Sequence, residues 1–331
     1  MHKDIGKILI HLRLNSDVEF CELATNKNGP KIEDTIRLDL VSLVIKIKKY
    51  EILILYHFTM TSLLIAILAR IRNRNIKLVL KSDIDTRYLR YLSNSKLKIV
   101  FRVFETLFDL ILVETKQHVA QLAYHLKNKD KAFLLYNGSK LSPSIVQDEK
   151  IQKKNEALFV GRLGHVQKNI PYLLDVLDRY DKIPRLDGIT LMGDIDGPNK
   201  LAIEKLLRNL RKKYSVRVIS TTDDNKQLAR EYKRAKVVLL PSLYESYGLV
   251  TAEAVTQGTK VISHEVGISA DLAKWSHCVD IVELNNDSMW LEKISIALEQ
   301  VDHEYPDQDT CDLFDWLKIG TILKNKLKSL L

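Results

Sequence analysis

The chain has 331 residues, a net charge of +9, 46% hydrophobic and 28% charged residues. That length and ordinary soluble composition suit two domains, and no apolar run approaches the about 18 residues that a membrane-spanning helix needs. Cys21, Cys278 and Cys311 are far apart with no CxxC pair, which excludes a closed disulfide framework, argues against a zinc site and favours a reducing compartment.

In chain order, residues 1–17 read as a helix over Ile5–Leu14 with charges on both sides. No small-residue cleavage site follows, so no secretory leader is expected and a cytoplasmic location is. Strands are predicted at Val18–Ala24, Ile52–Tyr56, Ile76–Leu80, Leu110–Val113 and Ala132–Leu135. Helices are predicted at Thr59–Ile71, Lys96–Phe108 and Lys116–His125. A polar stretch with Pro143 marks a linker near residues 140–155. The pattern then restarts, with strands at Ala157–Val160, Gly188–Met192, Val216–Ile219, Val237–Leu240 and Lys260–Ser263. Between them lie helices at Ile170–Tyr180, Lys200–Tyr214, Asn225–Arg234 and Leu249–Thr256, and Asp312–Leu331 closes as one or two amphipathic helices. Alternating strands and helices imply parallel sheets. The first βα unit reads as incomplete, because no strand and glycine-bearing loop precede the opening helix.

Ligands of open α/β sheets bind beyond the carboxyl ends of strands. In LLPSLYESYGLVTAEAVTQGTKVIS, a buried strand ends at Pro241, a loop holds Glu245, Tyr247 and Gly248, and a helix opens at Leu249 with Glu253 just over one turn inside. Free N–H groups and the dipole at that helix start suit a diphosphate, and Gly248 permits close approach. Glu245 and Glu253 could accept sugar hydroxyls; equally, each could be a surface or first-turn carboxylate. In VGRLGHVQKNI, Gly161 ends a strand, and Arg162 and Lys168 precede a helix with Pro171 in its first turn. Two cations there could neutralise a leaving diphosphate or be solvated loop charges.

Together these segments resemble the donor domain of retaining GT-B-fold glycosyltransferases of family 4, the glycosyl transferases group 1. The carriers are Gly161-Arg162, then Lys168-Asn169 five residues on, the Glu245–seven residues–Glu253 signature, and YNGSK at 136–140. The resemblance implies two Rossmann-like, doubly wound parallel-sheet domains facing a cleft. Residues 1–150 would form an acceptor-side domain, 151–311 a donor domain, and 312–331 helices packing back on the first. It implies that Arg162 and Lys168 hold the donor diphosphate and Glu245 the sugar. Glu253 would hold the ribose, and backbone at Gly161, Gly248 and Leu249 the phosphates, beside Tyr247. It further implies transfer with retention, no metal or other cofactor, and a nucleotide-sugar donor, UDP- or GDP-linked, with a glycan or lipid-linked glycan acceptor. Asp83 stands where relatives place a group facing the sugar, with Lys81 and Asp85 as rivals and His57 as a further acceptor-side candidate.

Asp83-Ile84-Asp85 and Asp194-Ile195-Asp196 both read as DxD, a metal-binding pattern of a different fold, and three-letter matches arise often by chance. The family's N-terminal glycine-rich loop has no match, which keeps two alternatives open: a non-catalytic subunit that stabilises a partner transferase, and a sugar-nucleotide epimerase. Residues 1–150 hold 25 Lys and Arg against 16 Asp and Glu, whereas the rest is neutral. Basic residues interleave with aromatics over 87–108, as on an interfacial helix at an anionic membrane or on an amphipathic helix packed on the domain core with a solvated basic edge, and no nucleic-acid-binding module accompanies the charge.

Overall fold

The computed structural model describes residues 21–23, 36–38, 40–83, 85, 87, 95–146, 149–300 and 308–331. The expected helix Ile5–Leu14 and the reading of an incomplete first unit lie outside them. Two compact units emerge: residues 1–138 with 315–331, and residues 139–314. The sequence reading placed the first boundary at 150.

In the first unit, β1 (Cys21–Leu23) and β2 (Ile36–Leu38) pair in parallel. Next come α1 (Leu40–Lys46), β3 (Ile52–Tyr56), α2 (Met60–Arg72), β4 (Lys77–Lys81), α3 (Ser95–Leu107), β5 (Leu110–Val113), α4 (Lys116–His125) and β6 (Ala132–Leu134). Strands β3 to β6 form a parallel sheet in sequence order, so strand order does not reverse among the described residues. Thr59 and Thr115 cap α2 and α4 by accepting from the N–H groups of Ser62 and His118. Alternate strand residues Leu78, Leu80, Ile111 and Val113 pack under α1 to α4, which places all four helices on one face. Of the stretch 87–108, the described part favours the second of its two readings, a helix packed on the core with a basic edge. Phe101, Phe104 and Phe108 are buried in this core, with Phe104 stacked on Phe108 at 5.7 Å, because packing against the sheet claims the aromatic side of α3. Residues 88–94 fall outside the description.

The second unit runs β7 (Lys154–Val160), α5 (Ile170–Arg179), β8 (Gly188–Met192), α6 (Lys200–Leu210), β9 (Ser215–Ile219), α7 (Asn225–Arg234), β10 (Ala235–Leu240), α8 (Leu249–Thr256), β11 (Lys260–Ser263), α9 (Gly267–Leu272), β12 (Val279–Ile281), α10 (Asp287–Glu299) and α11 (Gln308–Leu313). Its six parallel strands lie in the order β12-β11-β10-β7-β8-β9. The chain therefore builds outward one way from β7 and the other way from β10, and the switch point lies between them. Phe159, Leu191, Val237 and Ile262 meet α5, α6 and α10 on one face. The alternate residues Leu158, Val238 and Val261 are also buried, as in a sheet covered on both sides. Strand β12 and helices α9 and α10 were not anticipated. Strand β12 and α9 are short, whereas α10 buries Trp290, Ile294, Ala297 and Leu298 at regular helical spacing.

Helix α12 (Trp316–Lys328) belongs to the first unit. Trp316, Ile319 and Leu323 cover Val79, Leu110 and Leu112, the sheet face opposite α1 to α4. Gly138 lets the chain pass the indole: a methyl there would sit 2.6 Å from Trp316 Cδ2.

Candidate donor site at the switch point

The loops after β7 and β10 leave neighbouring strands at the switch point, where an open α/β sheet presents a ligand cleft. After β7 the backbone turns at Gly161 (φ +132°), whose N–H donates to Met192 O at 3.0 Å. Gly193 (φ +138°) answers from the end of β8; a methyl on it would overlap the Gly161 carbonyl oxygen. A 3-10 turn over Val166–Lys168 is capped by His165 Nδ1, and Asn169 enters the left-handed region (φ +52°) before α5. These turns deliver Lys168 next to Gly161, where a methyl would stand 3.2 Å from Lys168 Cε.

The loop after β10 is tied to this one. Leu243 N–H donates to Gln167 O at 2.9 Å, and Gln167 Nε2 donates to Tyr244 O at 2.9 Å and to Glu245 Oε2 at 3.2 Å. Lys168 Nζ meets Glu245 Oε1 at 2.6 Å, with 12% and 9% of the two side chains exposed. Arg162 is exposed and reaches Gln167 Oε1 at 3.4 Å. Gln167 thus bridges Arg162 and Glu245 while Lys168 meets Glu245 directly, and a lone glutamine carries no motif by which the sequence could announce it.

Gly248 (φ +87°) starts α8 and offers no side-chain cap, and Thr251 N–H donates to its carbonyl at 2.9 Å. Glu253 is buried in that helix. Its Oε2 accepts from Tyr232 Oη at 2.9 Å, and Lys140 Nζ lies 3.7 Å from Oε1. Burial, then the Glu253 charge, holds the Tyr232 phenol well above its usual range. Tyr232 is a second group that the sequence did not single out; Lys140 is the last residue of the quoted YNGSK segment. Tyr247 is buried, and its carbonyl accepts from Ile268 N–H at 2.6 Å. A methyl on Gly267 (φ +53°) would overlap that carbonyl, so the start of α9 braces the loop carrying Glu245. Behind it, buried His264 places Nδ1 3.2 Å from Ser242 O and packs on Trp290. Burial pushes its pKa down.

The first unit gathers the remaining candidates at the carboxyl ends of β3, β4 and β5. His57 (φ +63°) pairs through Nδ1 with Asp83 Oδ1 at 3.0 Å, and that hydrogen bond raises its pKa. Burial, then the Asp83 charge, raises the Tyr56 phenol. Lys81 is buried and binds Glu114 Oε1 at 2.6 Å, to which Asn137 Nδ2 also donates at 2.7 Å. Lys81 therefore acts as a counter-ion within its own sheet rather than as an exposed cation. Asp85 pairs with Arg87 at 2.7 Å, and Asp194 accepts from Thr221 N–H at 3.4 Å. Among the described residues no three His, Cys, Asp or Glu side chains converge as a metal-ligand group.

Comparison with known proteins matches residues 143–307, half of the chain, to the glycosyl transferases group 1 family. An uncharacterised glycosyltransferase of Methanocaldococcus jannaschii is 30% identical over 160 residues, covering 44% of this chain and 39% of that protein. The curated relatives it matches are covered over only 21% to 52% of their length. Among solved structures, the lipopolysaccharide outer core galactosyltransferase WaaB superposes with a TM-score of 0.72 at 16% identity, over 99% of this chain and 95% of that one. HepE of Anabaena, in complex with UDP and glucose, gives 0.66 at 16% identity over 87% and 80%. These likenesses are of fold, and they are to GT-B proteins built, like this chain, from parallel-sheet α/β domains. Residues 143–307 are a glycosyl transferases group 1 domain, and that is the family to which this half of the chain belongs.

Proposed function

We propose that the chain transfers a hexose from a nucleotide sugar to a glycan or lipid-linked glycan acceptor, with retention of anomeric configuration and without a metal. The observation that carries this reading is the joining of Lys168 and Glu245 across the switch point, beside the glycine start of α8. A donor diphosphate would draw Lys168 and Arg162 to itself and accept from the N–H groups that follow Gly248. Glu245, released from Lys168, would then accept from hydroxyls of the transferred sugar, and Glu253, held by Tyr232, from the ribose. As the glycosidic bond to the phosphate breaks, the two cations offset the charge gathering on the leaving group. The leaving phosphate oxygen takes the acceptor proton on the same face. HepE, which shares the fold, binds UDP and glucose, and this supports a UDP-linked donor. The place of action is the cytoplasmic face of a membrane, with peripheral contact.

Thermal melting against UDP-, GDP-, dTDP- and ADP-sugars, with and without EDTA, tests the donor. A ligand held only by the native state raises the melting temperature. A rise for one nucleotide class that EDTA leaves intact is expected; no rise with any donor overturns the reading. Glu245→Ala is expected to lower turnover by about 10²–10³-fold, the scale of losing a group that acts in the transition state. Normal turnover in a folded variant removes Glu245 from its role.

A further inference from the structure

The outer surface of the α1–α4 layer is unlike that of a helix layer facing water. Helix α2 turns Met60, Leu64, Ile67 and Ile71 outward, at 70%, 47%, 38% and 73% exposure. Their spacing of four, three and four residues puts them on one stripe about 17 Å long on the 13-residue helix. A soluble helix carries its charges there; the charges of α2 wait until Arg70 and Arg72 in its last turn. On one side α1 adds exposed Val41 and Ile45, and on the other α3 adds exposed Ile99 and Val103. Both helices contact α2, so the three stripes lie side by side.

The charges of this layer have one sign. The four helices hold seven Lys and Arg and a single acid, Glu105. That carboxylate is buried, bound to Arg102 and to the N–H groups of Lys127 and Asn128. None of the layer's acids therefore reaches the outer face. At the carboxyl end of α2, Lys48, Lys49, Arg74 and Lys77 line a basin of about 520 Å³ in which Glu51 is the lone acidic side chain.

We infer that this layer is a docking face for an anionic lipid bilayer, with the α2 stripe entering the acyl boundary and the rim cations meeting headgroup phosphates. Aliphatic side chains on helices lying in a plane, edged mainly by cations, fit a fluid anionic surface. A protein partner would call for aromatic anchors and charges of both signs to fix register. The helices are too short to cross a membrane, so they lie in its surface. The inference deepens the membrane contact proposed above by naming the surface, yet it is read by binding alone and stands or falls apart from sugar transfer.

The test is co-sedimentation of the full chain with vesicles of phosphatidylcholine alone or with about 30 mol% phosphatidylglycerol, at low and high salt. Binding to the anionic vesicles is expected, weaker by about tenfold or more on neutral vesicles and in the variant Leu64→Glu/Ile67→Glu. Both positions are exposed, so melting and donor-induced stabilisation should be unchanged in that variant. Lys48→Glu/Lys49→Glu should lose the anionic preference. Failure of the wild type to bind anionic vesicles overturns the inference, as does equal binding by Leu64→Glu/Ile67→Glu. So does light scattering that shows a wild-type dimer which Leu64→Glu/Ile67→Glu turns into a monomer, since a second copy would then own the face.

Discussion

Each unit buries a Lys–Glu pair, but only the second sets its pair in loops at the switch point. In the second, Lys168 and Glu245 are turned inward and paired across two loops, and glycine turns hold the loops close enough for the pair to form. In the first, Lys81 and Glu114 also pair inside the sheet, but the outer face of the helix layer is left to cations and aliphatic side chains. A site that must hold a ligand in one geometry is built from backbone approach. A surface that must meet something fluid is built from residue type alone. The comparison predicts that single-atom changes at the switch point are severe, whereas the helix layer tolerates exchange in folding but not in adhesion.

The largest effect should follow Gly193→Ala. A methyl there collides with the Gly161 carbonyl and must adopt φ +138°. Backbone strain and overpacking together place the destabilisation at about 3–5 kcal/mol. Urea unfolding followed by fluorescence reads it directly. A loss below about 1 kcal/mol would mean that the β7 and β8 loops can part freely, and the contrast between units would fail.

Next comes the buried ion pair. Lys168→Ala or Glu245→Ala leaves a nearly buried charge without its partner and should destabilise by about 3 kcal/mol. The double variant should lose clearly less than the sum, because neither charge is then stranded. Strict additivity in the double-mutant cycle would show that the pair is fortuitous.

Much of this arrangement is legible in the sequence, for reasons that differ by region. Strands Ile52–Tyr56 and Gly188–Met192 stand out because buried parallel strands are short apolar runs between polar turns. Gly161 and Gly248 are legible because turns with positive φ favour glycine, whereas Lys168 and Glu245 stand out only through the family resemblance, since as residue types alone they read equally as loop charges. Gln167 and Tyr232 are not legible at all: each acts through a partner far along the chain, Glu245 and Glu253, and no local pattern announces such a bond. The aromatics of α3 misled in the other direction. Phe101 and Phe104 beside Arg102 look interfacial in one dimension, but the helical period sends them into the core and sends Ile99 and Val103 outward.

Acid separates two histidines of the first unit. His118 is buried, and burial pushes its pKa down to about 4. Its folded pKa lies below the unfolded value of about 6.5, so the stability it contributes is present above that value and fades as pH falls towards 4. The loss is about 3 kcal/mol over that window, and His118→Leu should flatten the acid limb of a stability–pH curve. An unchanged limb would shift the acid response to other groups, including buried His264 of the second unit, whose pKa is lowered in the same direction.

The smallest effect, and the one of opposite sign, belongs to His57. Its hydrogen bond to Asp83 raises its pKa, so its stabilisation is full below the unfolded value and is lost as pH rises through the folded value. About a third of each side chain is exposed, and solvent screening holds the contribution below about 1 kcal/mol. Stability is therefore a poor readout, and the imidazole itself a good one. Asp83→Asn removes both the acceptor charge and the Coulombic attraction, so an NMR titration should show the His57 pKa falling. If Asp83 also faces the donor sugar, turnover should fall with it while donor affinity changes little. A shifted titration with unchanged turnover would leave Asp83 as a partner that orients His57 and nothing more. The first unit would then contribute its membrane face to the reaction, and the chemistry would rest on the charges gathered in the second.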